Sequence, residues 1–290
     1  MDHLIKATAG DGLRIHAAVT TKLTEEARLR HNCSPVATAA LGRTMTAALL
    51  FAANLKTEET VTLRVAGDGP LGEIIVDAKG GLVRGKVKNP TIDLPLNAAG
   101  KLDVGAAVGR GSLYVTRYTN MKQSFTGSSA LVSGEIAEDV TEYLYTSEQT
   151  PSSVGLGVLV EQDRTVRAAG GFILQALPDA SDADLDIVEA NLKALPSVSS
   201  LVAEGQDAKT MIEALCKGLP IRYLEEQELA FRCTCSKERV ETALISLGSE
   251  ELSRLIAEDG KAELVCHFCG NKYQFDQTDL NELLQKVKEE

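Results

Sequence analysis

The chain has 290 residues, is 44% hydrophobic with only 4% aromatic and no Trp, and carries a net charge of −11. That length supports two domains around aliphatic cores, and the acidic balance argues against a protein that grips phosphates. No basic flank leads into an apolar run at the N-terminus, and the longest apolar run, 47–53, is far short of a membrane span, so we expect a cytoplasmic chain without a secretory signal.

In chain order, apolar alternation on either side of Gly10-Asp11-Gly12 predicts a hairpin over 3–20. Thr24, followed by Glu25 and Glu26, reads as the N-cap of a helix that stops before Pro35. A second helix, rich in Ala and Leu, is expected over 36–55. Strands over 61–66, 73–77 and 82–87, punctuated by Gly-rich turns, predict an antiparallel meander. A hairpin follows, pairing 112–117 with 122–125 across Tyr118-Thr119-Asn120. Helix 135–147 places Ile136, Val140, Tyr143 and Leu144 on one face. Strands 154–161 and 165–175 pair around Gln162-Asp163-Arg164. This interleaving lacks regular β-α-β spacing, so the body, residues 1–178, is read as α+β with a mainly antiparallel sheet.

The body contains no Walker loop, G-x-S-x-G or H-E-x-x-H motif. His3, His16 and His31 are scattered, and Cys33 and Cys216 lack a cysteine partner nearby in sequence, so none is assigned a role. Charge is uneven along the chain. Residues 1–178 are neutral overall, 179–230 carry −7 and 231–290 carry −4. The middle segment begins with an amphipathic helix, 179–195, striped with Leu185, Val188, Leu192 and Leu195. Short apolar patterns at 198–202 and 211–219 follow it. Helices this short are marginal unless their apolar face is packed. On sequence alone the segment is either an ordinary helical connector or one held in place by a neighbouring domain. Its acidic excess would keep it extended once unfolded.

The last sixty residues predict helices over 236–247 and 249–257, strands over 262–265 and 272–275, and a closing helix over 276–287 with Leu280, Leu283, Leu284 and Val287 inward. A unit this small has a thin core and often needs a metal. Here Cys233-x-Cys235 and Cys266-x-x-Cys269 stand thirty residues apart. Two close thiolate pairs can close a tetrahedral Zn²⁺ site, with Gly270 accepting the turn beneath the second pair. In such a site neighbouring sulfurs lie a little under ~4 Å apart, and all four are held as thiolates, the form that oxidants attack. A structural Zn²⁺ supplies roughly 10–16 kcal/mol in small zinc domains, which is comparable with the stability of a whole domain. His267 sits inside the C-x-x-C loop and could substitute as a ligand, but the four cysteines already form a standard closed site. Arg232, Lys237, Arg239 and Lys272 flank the sulfurs and could ease thiolate formation or simply be surface charges.

These motifs resemble the bacterial redox-switched heat-shock holdase family, the thirty-three-kilodalton chaperonin. The likeness extends to Ser147-Glu148-Gln149-Thr150-Pro151-Ser152, to the run from Ala169 through Gly170, Gly171 and Phe172 to Pro178, and to Ala40-Leu41-Gly42-Arg43. It implies a body domain at 1–178, a metastable linker at 179–230 and a zinc-binding switch domain at 231–290. It also implies an ATP-independent holdase, not an enzyme, that is inactive while zinc-bound. Oxidation would pair Cys233 with Cys235 and Cys266 with Cys269, release zinc and unfold the linker. Unfolding client proteins and a homodimer are the implied partners, with neither nucleic acid nor membrane. Two other readings remain open on the residues alone. One is a constitutive zinc-ribbon adaptor. The other is a thiol oxidoreductase using Cys266-His267-Phe268-Cys269, although no long helix follows that motif as a thioredoxin-like site requires.

Overall fold

The computed structural model describes residues 1–56, 58–119 and 124–289. The chain divides into two units, Met1–Arg232 and Cys233–Glu290.

The first unit begins with the expected hairpin, β1 (His3–Ala9) and β2 (Leu13–Val19). Helix α1 (Thr21–His31) starts earlier than the sequence suggests. Thr24 lies buried inside it, and Thr20 occupies the N-cap position without a side-chain capping bond. The Thr20 hydroxyl faces that of Thr46, 2.7 Å away. Capping comes instead from the Asp2 carboxylate, which accepts from the N–H groups of Lys22 and Leu23 at 3.1 and 2.7 Å. Helix α2 (Pro35–Ala52) has Ser34 as N-cap and Pro35 in its first turn, where the missing N–H is harmless. It is long and apolar enough to span a membrane by length and composition alone, but 89% of it is buried within the unit. Both facts follow from its place as a core helix touching strands of two sheets.

The meander is β3 (Thr60–Gly67), β4 (Ile74–Lys79) and β5 (Leu82–Val87), antiparallel throughout. A short helix that the sequence reading missed, α3 (Val104–Val108), precedes β6 (Gly111–Tyr118). The strand expected at 122–125 begins outside the described residues, as does part of the turn before it. The strand seen is β7 (Phe125–Ala130), antiparallel to β6. Helix α4 (Ala137–Thr146) buries Val140, Tyr143 and Leu144, with Ile136 also buried beside it. Ile136 has φ 71°. Its N–H and those of Val132, Ser133 and Gly134 all donate to the buried Asp139 carboxylate, which holds that strained turn. Strands β8 (Ser152–Val160) and β9 (Val166–Ala176) pair as expected.

Residues 179–230 form α5 (Asp182–Ala194), α6 (Val198–Ala203), α7 (Ala208–Leu215) and a strand, β10 (Ile221–Glu228). β10 pairs antiparallel with β1. The five-stranded sheet therefore runs β10-β1-β2-β9-β8. The other sheet runs β11-β5-β4-β3-β6-β7, where β11 (Ala230–Phe231) is parallel to β5.

Strand alternation splits the unit into two cores. Leu4, Ala18, Ala169 and Ile173 face α2 and the six-stranded sheet. Ile5, Ala7, Leu13, Ile15, Phe172 and Leu174 point the opposite way, and that face is covered by α5, α6 and α7 through Val188, Val198, Leu201, Met211, Ile212 and Leu215. Close approach of α6 depends on two strand glycines. A Cβ at Gly157 would lie 2.5 Å from the Ser199 backbone nitrogen, and one at Gly170 would lie 3.2 Å from the Val202 side chain and 2.6 Å from the Ala18 carbonyl oxygen.

The second unit holds α8 (Lys237–Ile245), α9 (Ser249–Glu258), the hairpin β12 (Ala262–Val265) with β13 (Lys272–Phe275), and α10 (Gln277–Glu289). These lie close to the expected ranges. Among the described residues of its core, Leu244, Leu252, Phe275, Leu280 and Leu283 are buried, and Leu284 and Val287 pack partly covered against them.

Candidate metal centre

The second cysteine pair sits in a tight turn, the first in an irregular segment leading into α8. At the second pair, the Cys266 carbonyl accepts from the N–H groups of Cys269 (3.4 Å) and Gly270 (2.8 Å), and the Cys266 N–H donates to the Asn271 carbonyl at 2.8 Å. Gly270 has φ 72°, a conformation that glycine accepts without the penalty of a Cβ. The hairpin of β12 and β13 carries this turn at its tip. The first pair precedes α8, whose N-cap is Ser236; its hydroxyl accepts from the Arg239 N–H at 3.3 Å. Arg239 folds back to donate to the Thr234 carbonyl and hydroxyl at 3.0 and 2.9 Å, tying α8 to the residue between Cys233 and Cys235.

The two segments bring all four sulfurs within 4.8 Å of one another. Cys233 Sγ lies 3.7 Å from Cys266 Sγ, and Cys235 Sγ lies 3.3 Å from Cys269 Sγ. A tetrahedron of Zn–S bonds near ~2.3 Å places sulfurs a little under ~4 Å apart, so the set fits a four-coordinate metal with soft ligands. The four cysteines that sequence reasoning places at the site are thus brought together. His267 is exposed and lies outside the sulfur cluster. Lys237 is 3.1 Å from the Asp279 carboxylate and Lys272 is 3.0 Å from that of Glu263.

Tyr273 is the site residue that sequence reasoning missed. Its hydroxyl donates to Cys235 Sγ at 3.1 Å. Register explains its position: Tyr273 is opposite Leu264 on the hairpin, two residues before the buried Phe275 on the same strand face. A sequence signal existed only in that period-two spacing. Desolvation pushes the Cys235 thiol up, but hydrogen bonds from Tyr273 and the neighbouring thiols outweigh it and bring the group down to about 7. The same hydrogen bond holds the Tyr273 hydroxyl up at about 12. Burial, aided by hydrogen bonding to Cys235, pushes Cys269 up. In the first unit Cys33 and Cys216 are buried, and desolvation raises them to about 12 and 11. Both lie in apolar cores, away from any such cluster.

A family model described as Hsp33 protein matches residues 2–276. The chain belongs to the Hsp33 family. This Hsp33-family chain is 53% identical over 290 residues to the 33 kDa chaperonin of Desulforamulus reducens, with 99% of each chain covered. It is 51% identical to that of Symbiobacterium thermophilum, again with 99% of each covered. Among solved structures, the 33 kDa chaperonin of Thermotoga maritima, a heat shock protein 33 homologue, matches with a TM-score of 0.90 and 36% identity over 99% of each chain. The Hsp33 family assignment and the α+β fold with its cluster of four cysteines stand on these likenesses and on the geometry together.

Proposed function

We propose that this chain is a redox-regulated, ATP-independent holdase, a binding protein rather than an enzyme, acting in the cytoplasm. Cys233, Cys235, Cys266 and Cys269 hold one Zn²⁺ in the reduced form. Bound there, the ion supplies charge and coordination that keep four sulfurs as thiolates and stabilise a unit with few buried side chains. The approach of the four sulfurs within 4.8 Å is the observation that carries this reading.

The chain's own groups perform the switch. A peroxide takes two electrons from one thiolate, which becomes a sulfenic acid. A neighbouring thiolate then attacks that sulfur, closes an S–S bond and expels the oxygen as hydroxide, which becomes water on protonation. Each disulfide removes two ligands. The proposed pairing is Cys233 with Cys235 and Cys266 with Cys269. Two close sulfur approaches, Cys233 to Cys266 and Cys235 to Cys269, run between the pairs rather than within them, so disulfide mapping is a necessary part of the test.

Residues 1–178 serve as the body, 179–230 as a conditionally folded linker and 231–290 as the switch. The linker reading is supported by the apolar face of β1, β2 and β9, which α5, α6 and α7 cover. Once uncovered, that face joins a large apolar surface able to hold unfolding clients. The active form is a homodimer. The test is to follow zinc release and suppression of client aggregation together during peroxide treatment. Both should rise in step. A reduced, metal-loaded protein that protects clients as well as the oxidised one contradicts the proposal.

A further inference from the structure

Helix α5 carries the apolar stripe Leu185, Val188 and Leu192, yet only Val188 of the three is buried. The stripe lines a groove of about 670 Å³ whose other wall belongs to the body, through Pro151, Leu174 and Leu177. Arg14 also lines the groove. Its Nε and Nη2 groups donate to Gln175 Oε1 at 3.1 and 2.8 Å. The buried Gln175 amide donates in turn to Ser152 Oγ at 3.3 Å, and that hydroxyl donates to the Thr150 carbonyl at 2.9 Å. Arg14, Gln175 and Ser152 stand opposite one another on β2, β9 and β8, so the guanidinium is held in place before any ligand arrives. Two of its five N–H donors are used this way, and among the described residues it forms no ion pair. Glu189 is the one carboxylate among the lining residues, and it lies 3.5 Å from the Lys193 ammonium. The groove therefore has an apolar wall on each side and one positive charge that the chain leaves uncompensated.

We propose that this groove binds a medium-chain aliphatic carboxylate, with the head group on Arg14 and the tail between α5 and the body. A carboxylate matches the guanidinium fork in shape and charge. Mostly apolar pockets of this size with a few fixed polar groups suit small ligands. From Leu185 to Leu192 the helix rises about 10 Å at ~1.5 Å per residue, the extended length of an alkyl tail of roughly nine carbons. Because α5 forms one wall, only the docked helix offers the complete site. Bound ligand therefore raises the docked-to-released ratio of α5 by a factor of 1 + [L]/Kd, and so acts as a brake on release of that helix. The binding site stands on the groove alone, whereas the effect of the brake on activity rests on the reading of 179–230 as a conditionally folded linker.

The test uses the reduced full-length chain and its Arg14→Met variant, which keeps an unbranched side chain and removes the charge. Decanoate, which has a tail of the required length, is titrated by calorimetry below its micelle concentration. Decyltrimethylammonium, with the same tail and the opposite charge, is the control. The parent chain should bind decanoate at least about tenfold more tightly than the cation, because a hydrogen bond to a charged group is typically worth at least that factor. Arg14→Met should lose that preference without weakening the cation. Hydrogen exchange at ten times Kd should show amides of α5 about elevenfold better protected, with those of α10 unchanged. No decanoate binding, equal binding of the two amphiphiles by the parent chain, or no added protection of α5 overturns the proposal, and these arms need no variant to fold. A short leucine peptide with a free C-terminus that displaces decanoate at lower concentration than decanoate itself would show that the groove takes polypeptide ends, which also overturns it. Under peroxide, decanoate should delay the onset of client protection in the parent chain and not in Arg14→Met. Binding and α5 protection without that delay would overturn the brake and the linker reading while leaving the site standing.

Discussion

Gly157→Ala tests whether the 179–230 segment restrains activity. The substitution adds one methyl group on β8, remote in sequence from every cysteine of the cluster. That Cβ would lie 2.5 Å from the Ser199 backbone nitrogen and 3.1 Å from the Ser199 Cβ. Backbone cannot rotate out of the way as a long side chain does, so α6 must move outward. Overpacking of this kind typically costs about 1–3 kcal/mol. Each ~1.4 kcal/mol is a tenfold change in a population, so open states of the segment should rise by roughly 5- to 150-fold. Helices α6 and α7 have 6 and 8 residues, too few to persist once they leave the sheet. Hydrogen exchange should therefore show amides of 198–215 losing protection by that factor, while those of β3 and β4 keep theirs. Under reducing conditions with metal bound, the variant should suppress client aggregation where the parent chain does not. Unchanged exchange would refute the packing argument. Increased exchange without client protection would refute the link between this segment and activity.

Acid should expose the burial of His16. Desolvation, opposed by its contact with the Leu50 carbonyl, lowers the imidazole from 6.5 to about 4. Between those values the unfolded chain binds the proton and the folded chain does not, so stability falls as pH drops through that window, by about 3 kcal/mol at its lower end. In urea titrations at pH 6.5 and pH 4, His16→Gln should remove roughly that part of the pH dependence; an unchanged slope would contradict the burial argument. Burial predicts inertness for the two remaining thiols. Brief iodoacetamide treatment of the native reduced chain should leave Cys33 and Cys216 unmodified by peptide mass spectrometry, and modification of either at the rate of an exposed thiol would show that its core opens readily.

Local rules carry much of this fold into the sequence. The hairpin around Gly10-Asp11-Gly12, the meander and the strands of the second unit are legible because their pairing partners are neighbours in the chain. The metal centre is legible because each cysteine pair is confined to three or four consecutive residues, and Gly270 marks the turn at the second. Long-range pairings are not legible. Strand β10 reads Ile-Arg-Tyr-Leu-Glu-Glu-Gln-Glu, with charges where an alternating apolar face would be, because it is an exposed edge strand. Its partner β1 is at the other end of the unit, with His3 opposite Glu228. Thr24 looks like an N-cap because acidic residues follow it, but the carboxylate that caps α1 comes from Asp2, beyond the reach of a local pattern. Tyr273 is hidden for the same reason: its partner Cys235 is 38 residues away. The glycines at 157 and 170 read as weak points in strands, whereas their use is to admit a helix.

If the four-sulfur site is a metal site, it holds the second unit together. Hydrogen exchange on the reduced full-length chain, before and after zinc is stripped by a chelator, tests it most directly. Amides of 233–290 should lose their protection while those of α2 and the six-stranded sheet retain it. Protection of 233–290 that survives removal of the metal would contradict it.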